Sequence, residues 1–477
     1  MIGRQEVMDF ARELTLAVEV VEKDYILGWL LAGISNHVSL QNDWVFKGGT
    51  CLKKCYFETY RFSEDLDFTL TNPDHLSEEF LLTVFGEVVE WIYEQSGIEI
   101  PGNRLRFDIY ENNRGGISAE GRVYYRGPMQ RRGDLARIKL DLTSDEVLVL
   151  EPAICPVHHP YSDNPAGGIN VACYCFEEIF AEKVRALAER QRPRDLYDVI
   201  HLYRHDELQP DRSVVLSTLR SKCIFKGIPV PTRNSVSSTA TRDELLAEWE
   251  NMLAHQLPIL PPFEQFWNEL PQFFDWLHQV VEKTSLPSFQ MREKVDESWR
   301  PPAMVQTWHS STPMETIRYA AANRLCVNLR YRESTRLIEP YSLRRTEEGN
   351  ILLYAVKHST GEPRSYRIDR IQGAEITKTA FSPKYQIELT ASGSPQIPSA
   401  SERSASLYGK TASLGNPIKR VSRKLPGNDS GPRYVYECSS CGKKFTRKTN
   451  TTKLNPHKDK QGYPCPSRTG FYISTEF

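Results

Sequence analysis

Two aspartates stand two residues apart in the stretch "SEDLDF", Asp65 and Asp67, and a Gly48-Gly49-Thr50 turn precedes them by about fifteen residues. On a strand every second side chain points the same way, so the two carboxylates would project together. Paired carboxylates suit a hard divalent cation, the ion that bridges triphosphate oxygens and activates a hydroxyl in nucleotidyl transfer. A turn of small residues opening the helix "CLKKCYF" leaves backbone N–H groups open to phosphate. Each signal alone has an ordinary explanation, a plain turn and a solvated strand end; their conjunction singles out the stretch. In "RIKLD" (137–141) Asp141 offers a third carboxylate with Lys139 on its face, although a salt-bridged surface fits that pair equally well. Further on, Lys183 lies among Ile179, Phe180, Val184 and Leu187, apolar residues that would pack its helix on a sheet and aim the ammonium. Asp195 and Asp198 follow one turn apart.

A second set of chemically capable residues lies near the C-terminus: Cys438-x-x-Cys441, then His457 and Cys465. Three thiolates and one imidazole make a closed tetrahedral Zn²⁺ site with a structural role, and Gly442 supplies the tight turn after the second cysteine. Lys443, Lys444, Arg447, Lys448, Lys453, Lys458 and Lys460 are interleaved there with Phe445, Tyr463, Phe471 and Tyr472, a pattern fit for phosphate contact and base stacking. Cys51 and Cys55 read instead as helix residues one turn apart with no metal role.

Elements to position these groups can be read from periodicity. Helical spacing runs from Arg4 to about Asn36; "DWVFK" and "DLDFTL" read as strands; "EEFLLTVFGEVVEWIYEQS" reads as a helix ended by Gly97. Strand patterns follow in "LRFDIY", "GRVYYRG" and "ARIKLDL", giving a mixed sheet with helices on it. From Glu177 to His205 the helical period is broken only by Pro193, and it returns through "FEQFWNELPQFFDWLHQVVEK". The paired prolines in "SWRPPAMVQ" mark a boundary near Pro301. The reading divides the chain into 1–300 (sheet core about 40–150, helical lobe about 170–295), a β-rich unit at 310–392, a flexible basic linker at 393–432, and a zinc module at 433–477. The linker assignment rests on low hydrophobicity that cannot repay the entropy of ordering.

With 477 residues the chain exceeds what one core sustains. Its net charge of −1 conceals a polarised distribution: from Ser401 onward 15 Lys/Arg face 5 Asp/Glu, so the tail attracts polyanions. Ten scattered cysteines at this length argue against a secreted disulfide framework. The charged N-terminus is unlike a signal peptide, and the longest apolar run, 26–34, is too short to span a bilayer, so a cytoplasmic protein without membrane association is expected.

The motifs "GGTCLKK", "RFSEDLDF", "IKLD", "EEIFAEKVRAL" and "RDLYD", in this order, resemble those of the AbiEii toxin family, with similarity extending from about Val21 to His278. The resemblance implies an α+β fold: a nucleotidyltransferase sheet of the DNA polymerase β type with a helical lobe. It further implies an enzyme that transfers NMP from an NTP with Mg²⁺ or Mn²⁺, in a toxin or phage-defence setting. The acceptor it suggests is RNA, in particular the tRNA 3′ end, with an antitoxin protein as partner. By the same resemblance, Gly48, Gly49 and Thr50 would hold phosphates, Asp65 and Asp67 the metal, Asp141 would be the third acid, Lys183 would contact the triphosphate, and Asp195 would complete the site. Ser63, in the nucleotide site, and Arg61 would support these groups. The stretch "RLIEPYSLR", "LLYAV" and "YRIDRI" is similar to WYL domains, small Sm-like β-barrels, with Leu352, Leu353 and Tyr354 in place of the name-giving triplet. Arg364, Arg367, Arg370 and Tyr366 would offer a surface for nucleotide or nucleic acid, although an ordinary barrel with salt-bridged arginines fits them equally well. Two alternatives remain at this level: a nucleic-acid-binding regulator with little turnover, and a transferase whose acceptor is a protein or small molecule.

Overall fold

The computed structural model describes residues 1–57, 59–111, 115–130, 133–205, 210–280, 283, 285–299, 313–389, 433–447, 452–457, 459, 465, 467 and 469–476. The boundary near Pro301 and the linker at 393–432 lie outside these residues. Two helices open the chain, α1 (Arg4–Leu14) and α2 (Val18–Asn36). Every residue of α2 from Asp24 to Ile34 is buried, as an apolar helix covered on all sides requires. No helix among the described residues is long and apolar enough to cross a membrane.

The chain then builds a seven-stranded sheet. β1 (Trp44–Lys47) turns through α3 (Gly48–Cys51) and one π-helical turn (Leu52–Tyr56) into β2 (Asp65–Leu70). After α4 (Glu78–Ser96), capped by the Ser77 hydroxyl and stopped by Gly97 at φ 77°, come β3 (Arg106–Glu111), β4 (Ile117–Tyr125), β5 (Ala136–Thr143), β6 (Ala153–Pro156) and β7 (Asn170–Cys173). The strand order is β3-β4-β5-β2-β1-β7-β6. β2 runs parallel to β5 and β1 parallel to β7, while the remaining neighbours are antiparallel, so the sheet is mixed as expected. Alternation assigns its faces: Leu66, Phe68, Ile138, Leu140, Leu142 and Val123 are buried in the core, while Asp65, Asp67, Lys139, Asp141, Glu120 and Arg122 sit between them on the other face.

A helical lobe follows: α5 (Phe176–Arg190), α6 (Pro193–Arg204), α7 (Arg212–Lys226), α8 (Arg233–Val236), α9 (Thr239–Leu253), α10 (Phe263–Trp267) and α11 (Leu270–Leu277). Pro193 begins α6 at its first helical position, where a missing N–H costs nothing, and Gln191 in the left-handed region (φ 46°) ends α5.

Beyond the lobe, α12 (Met314–Ala322) leads into β8 (Leu325–Tyr331), β9 (Ser334–Arg345), β10 (Ile351–Lys357), β11 (Glu362–Arg367) and β12 (Ile371–Ala380), an antiparallel sheet ordered β11-β10-β9-β8-β12. Its α12 end is seated on the lobe: Tyr197 donates to the Asn323 side chain at 2.9 Å, Tyr319 to the Ile259 carbonyl at 2.7 Å, and Arg324 meets Glu269 at 2.7 Å. A third sheet, β13 (Arg433–Cys438), β14 (Lys444–Arg447) and β15 (Gly470–Glu476), carries the C-terminal cysteines, with β13 in the middle.

Candidate active site

Pairing register brings the acids together. Asp67 lies opposite Asp141 in the parallel β2/β5 pair, Asp65 opposite Lys139, and Glu120 of β4 opposite Asp141. On the other side of β2, Lys47 of β1 lies opposite Asp67. Paired positions share a face, so a row of acids crosses the centre of the sheet with a lysine at one end. Lys139 is held there by Asp141 at 2.9 Å and Glu120 at 3.2 Å, and these two acids push its ammonium up against the effect of burial.

The crowding has an electrostatic signature. Burial first, and the Asp141 charge second, push the Asp67 carboxyl up to about 6, against a partial lowering by Lys47 and Lys183. Asp65 is raised by the same two causes. An arrangement of hard oxygen donors that repel one another in the absence of a cation is the donor set a divalent ion would stabilise. Asp65, Asp67 and Asp141 therefore fit the metal that a nucleotidyltransferase requires.

The glycine turn is shaped by the same acids. Gly48 adopts φ +81°, and a Cβ at this position would fall 2.2 Å from Asp67 Oδ2. A Cβ on Gly49 would fall 2.6 Å from Arg61 Nη2 and 3.3 Å from Ser63 Oγ. The two glycines thus let Asp67, Arg61 and Ser63 close over the turn. The Thr50 hydroxyl donates to the Asp65 carbonyl and ties α3 to the start of β2.

On the lobe side, Lys183 of α5 meets Asp198 of α6 at 2.8 Å. Arg61 clasps the same carboxylate with two bonds of 2.7 Å, and the Tyr60 hydroxyl donates to it as well. Burial alone would raise the Asp198 carboxyl, but Arg61 and then Lys183 reverse the effect and hold it well below the usual range. Asp195, expected to complete the site, is fully buried and engaged by Arg190 at 2.7 and 2.8 Å. Asp198 is thus the acid that orients Lys183 and Arg61; the i, i+3 spacing of the two aspartates was legible, but which of them meets the lysine depends on how α5 and α6 cross. Lys47 and Glu120 were also missed, since only strand register places them beside Asp67 and Asp141.

Cys438, Cys441, His457 and Cys465 come together, with ligand atoms all within 4.8 Å of one another. The Asn455 carbonyl lies 2.9 Å from His457 Nδ1, which turns Nε2 toward Cys441 Sγ at 3.2 Å, the orientation a metal-binding histidine needs. Gly442 at φ +68° makes the turn, and its N–H donates to the Cys438 carbonyl at 3.1 Å. The donor set fits Zn²⁺. Near it Phe471 and Tyr472 are exposed, as are Lys443 and Lys444, whereas Phe445 packs edge-on against His457. Lys448, Lys458, Lys460 and Tyr463, and the side chain of Arg447, lie outside the described residues.

One expectation is corrected. Tyr366 is buried against Tyr331 and offers no ring for stacking, while Arg364 pairs with Glu362, Arg367 pairs with Asp369 and Arg370 is exposed. Cys51 and Cys55 lie on helical turns as expected, and their sulfurs also lie within 4.8 Å of each other and of Cys173, a grouping the sequence did not show.

The model of the family described as nucleotidyl transferase AbiEii toxin, type IV toxin–antitoxin system, matches residues 29–278, and that of the WYL domain matches residues 313–376. Among solved structures, JHP933 from Helicobacter pylori is similar at 17% identity and a TM-score of 0.37, covering 56% of this chain and 95% of that one. A putative nucleotidyltransferase from H. pylori is similar at 18% identity and the same TM-score, covering 56% and 98%. No curated protein matches the chain.

Proposed function

Because the chain belongs to the family of AbiEii nucleotidyl transferase toxins, we propose that it moves a nucleoside monophosphate from an NTP to RNA, with the tRNA 3′ end as acceptor, and so blocks translation. The chain is a nucleotidyltransferase; the acceptor and the residue roles are our reading. Its main support is the in-register set Asp65, Asp67 and Asp141 on one sheet face, overlooked by Lys183. In this reading Asp65, Asp67 and Asp141 hold Mg²⁺ or Mn²⁺. When bound, the ion supplies a Lewis acid for the acceptor hydroxyl and charge neutralisation for the triphosphate. Gly48, Gly49 and Thr50 with Ser63 border the phosphates. Lys183, steered by Asp198, contacts the triphosphate, and Lys47 adds positive charge beside Asp67. The acceptor oxygen attacks the α-phosphorus, the bond from that phosphorus to the bridging oxygen of the β-phosphate breaks, pyrophosphate leaves, and the hydroxyl proton passes to solvent. Asp195 acts at a distance by fixing Arg190.

A type IV system supplies an antitoxin protein that opposes this activity. The zinc module, with exposed Phe471 and Tyr472 beside Lys443 and Lys444, would help capture RNA, and the WYL unit is read as a sensing module. Incubation of purified protein with labelled NTPs and total tRNA tests the core of the proposal. Label should enter tRNA with the wild type and not with Asp65→Ala/Asp67→Ala. Label in tRNA from the double variant would overturn the site assignment. Label on protein or small molecules alone would overturn the acceptor.

A further inference from the structure

A group of cysteines lies on the far side of the glycine turn, outside the carboxylate site. Cys51 closes α3, Cys55 lies on the π-helical turn, and Cys173 ends β7; all three are buried and their sulfurs lie within 4.8 Å of one another. Cys155 of β6 is also buried. The Tyr56 hydroxyl lies 3.9 Å from the sulfurs of both Cys155 and Cys173, while it donates to the Tyr174 carbonyl at 2.6 Å. Three thiols thus converge in one place, and a fourth, Cys155, adjoins the group through Cys173 and Tyr56.

A thiol buried for its apolar character packs against carbon and has no need of sulfur neighbours. Convergence of three sulfurs is what a soft cation requires. Tetrahedral coordination with metal–sulfur bonds of about 2.3 Å sets sulfur–sulfur separations of about 3.8 Å, a spacing Cys51, Cys55 and Cys173 reach with a small contraction and Cys155 with a further approach. The π-helical turn is an irregular element of the kind that gathers at functional sites: its i→i+5 bond, Phe57 N–H to the Leu52 carbonyl at 2.8 Å, closes the turn that carries Cys55. Lys54, next in the chain, is locked to buried Asp24 at 2.7 Å, so the turn is held from both sides.

We propose that Cys51, Cys55 and Cys173, completed by Cys155, bind one thiophilic d¹⁰ cation, Zn²⁺ or Cu⁺, as a structural site joining the glycine turn to the β6–β7 edge of the sheet. Each ligating sulfur gives up one proton to solvent as its bond to the metal forms. Thiolate-only donor sets select such ions over Mg²⁺, so the site is chemically independent of the carboxylates on the other side of the turn.

The test uses the full chain with Cys438→Ala and Cys441→Ala, which removes the C-terminal site. This protein is prepared with zinc and, separately and anaerobically, with Cu⁺, then desalted. Elemental analysis and native mass spectrometry should find one equivalent of metal per chain, with a neutral-mass gain of one zinc less two protons or one copper less one proton; the element retained when both are offered distinguishes the two ions. Adding Cys51→Ser and Cys173→Ser should remove that equivalent. A chain that melts cooperatively yet retains no metal overturns the proposal without reference to the serine variants. So does a mass two hydrogens low, which marks a disulfide, and so does metal retained after the serine changes in a folded chain.

Discussion

Replacing Asp67 with Asn should stabilise the metal-free protein while abolishing its activity. Asp67 titrates at about 6 rather than 3.8 because burial and Asp141 oppose its charge. A carboxyl raised in the folded state favours folding most when protonated, and that advantage is lost as pH rises through about 6. The gap between the two values corresponds to about 3 kcal/mol above pH 6, and solvent screening at a partly exposed side chain reduces it to about 1–2 kcal/mol. Asn keeps the shape beside Gly48 and removes the charge. In EDTA at pH 8 the variant should therefore melt a few degrees above the wild type, and at pH 5 the two should nearly coincide. Saturating Mg²⁺ should reverse the order at pH 8, because only the wild type gains binding energy from the ion. Scanning fluorimetry at the two pH values, with and without Mg²⁺, is sufficient. A variant that melts below the wild type in EDTA at pH 8, or by a margin independent of pH, would refute the reasoning.

Other outcomes follow from the same geometry. Gly48→Ala should abolish nucleotidyl transfer, since its Cβ displaces the Asp67 carboxylate, and should lower the melting temperature by a few degrees, since φ +81° strains any residue with a Cβ; thermal melts followed by circular dichroism and label transfer read the two separately. Asp198→Ala should cost about 3–5 kcal/mol in urea unfolding, because it strands the buried charges of Arg61 and Lys183. Mg²⁺ affinity measured by calorimetry should fall about tenfold per pH unit below about 6, as binding must then expel a proton from Asp67. Cys465→Ala should open residues 433–476 to protease while leaving the seven-stranded sheet protected, because it removes one ligand of the cysteine–histidine cluster on the three-stranded sheet and leaves the cysteines of the larger sheet intact.

Much of the fold could be read in the chain because its signals are local. The two-residue spacing of Asp65 and Asp67, the Gly97 stop and the helical period through Lys183 each report on a few neighbouring residues. What escaped was set by assembly. The partner of Lys183 is decided by the crossing of α5 and α6, and the spacing that flagged Asp195 and Asp198 together could not rank them. Lys47 and Glu120 reach the acids only through strand register. Cys155 and Cys173 sit on short strands with little periodicity of their own, so nothing in the sequence pointed them at Cys51. Tyr366 shows the reverse failure: its basic neighbours suggested a surface, while its own alternation on β11 sends it into the sheet's core.

The seating of α12 on the lobe bears on how this protein can be divided. Apolar packing runs without a break from Trp249 and Phe266 through Tyr197 to Ile317, Tyr319 and Leu325. A fragment cut where the toxin-family match ends, at residue 278, would bare that surface and leave Tyr197 without the acceptor it uses one residue before Asp198. The smallest autonomous piece is therefore longer than the homology suggests. Expression of the catalytic half should include the chain through the end of β12, and a shorter clone that aggregates would say nothing against the chemistry.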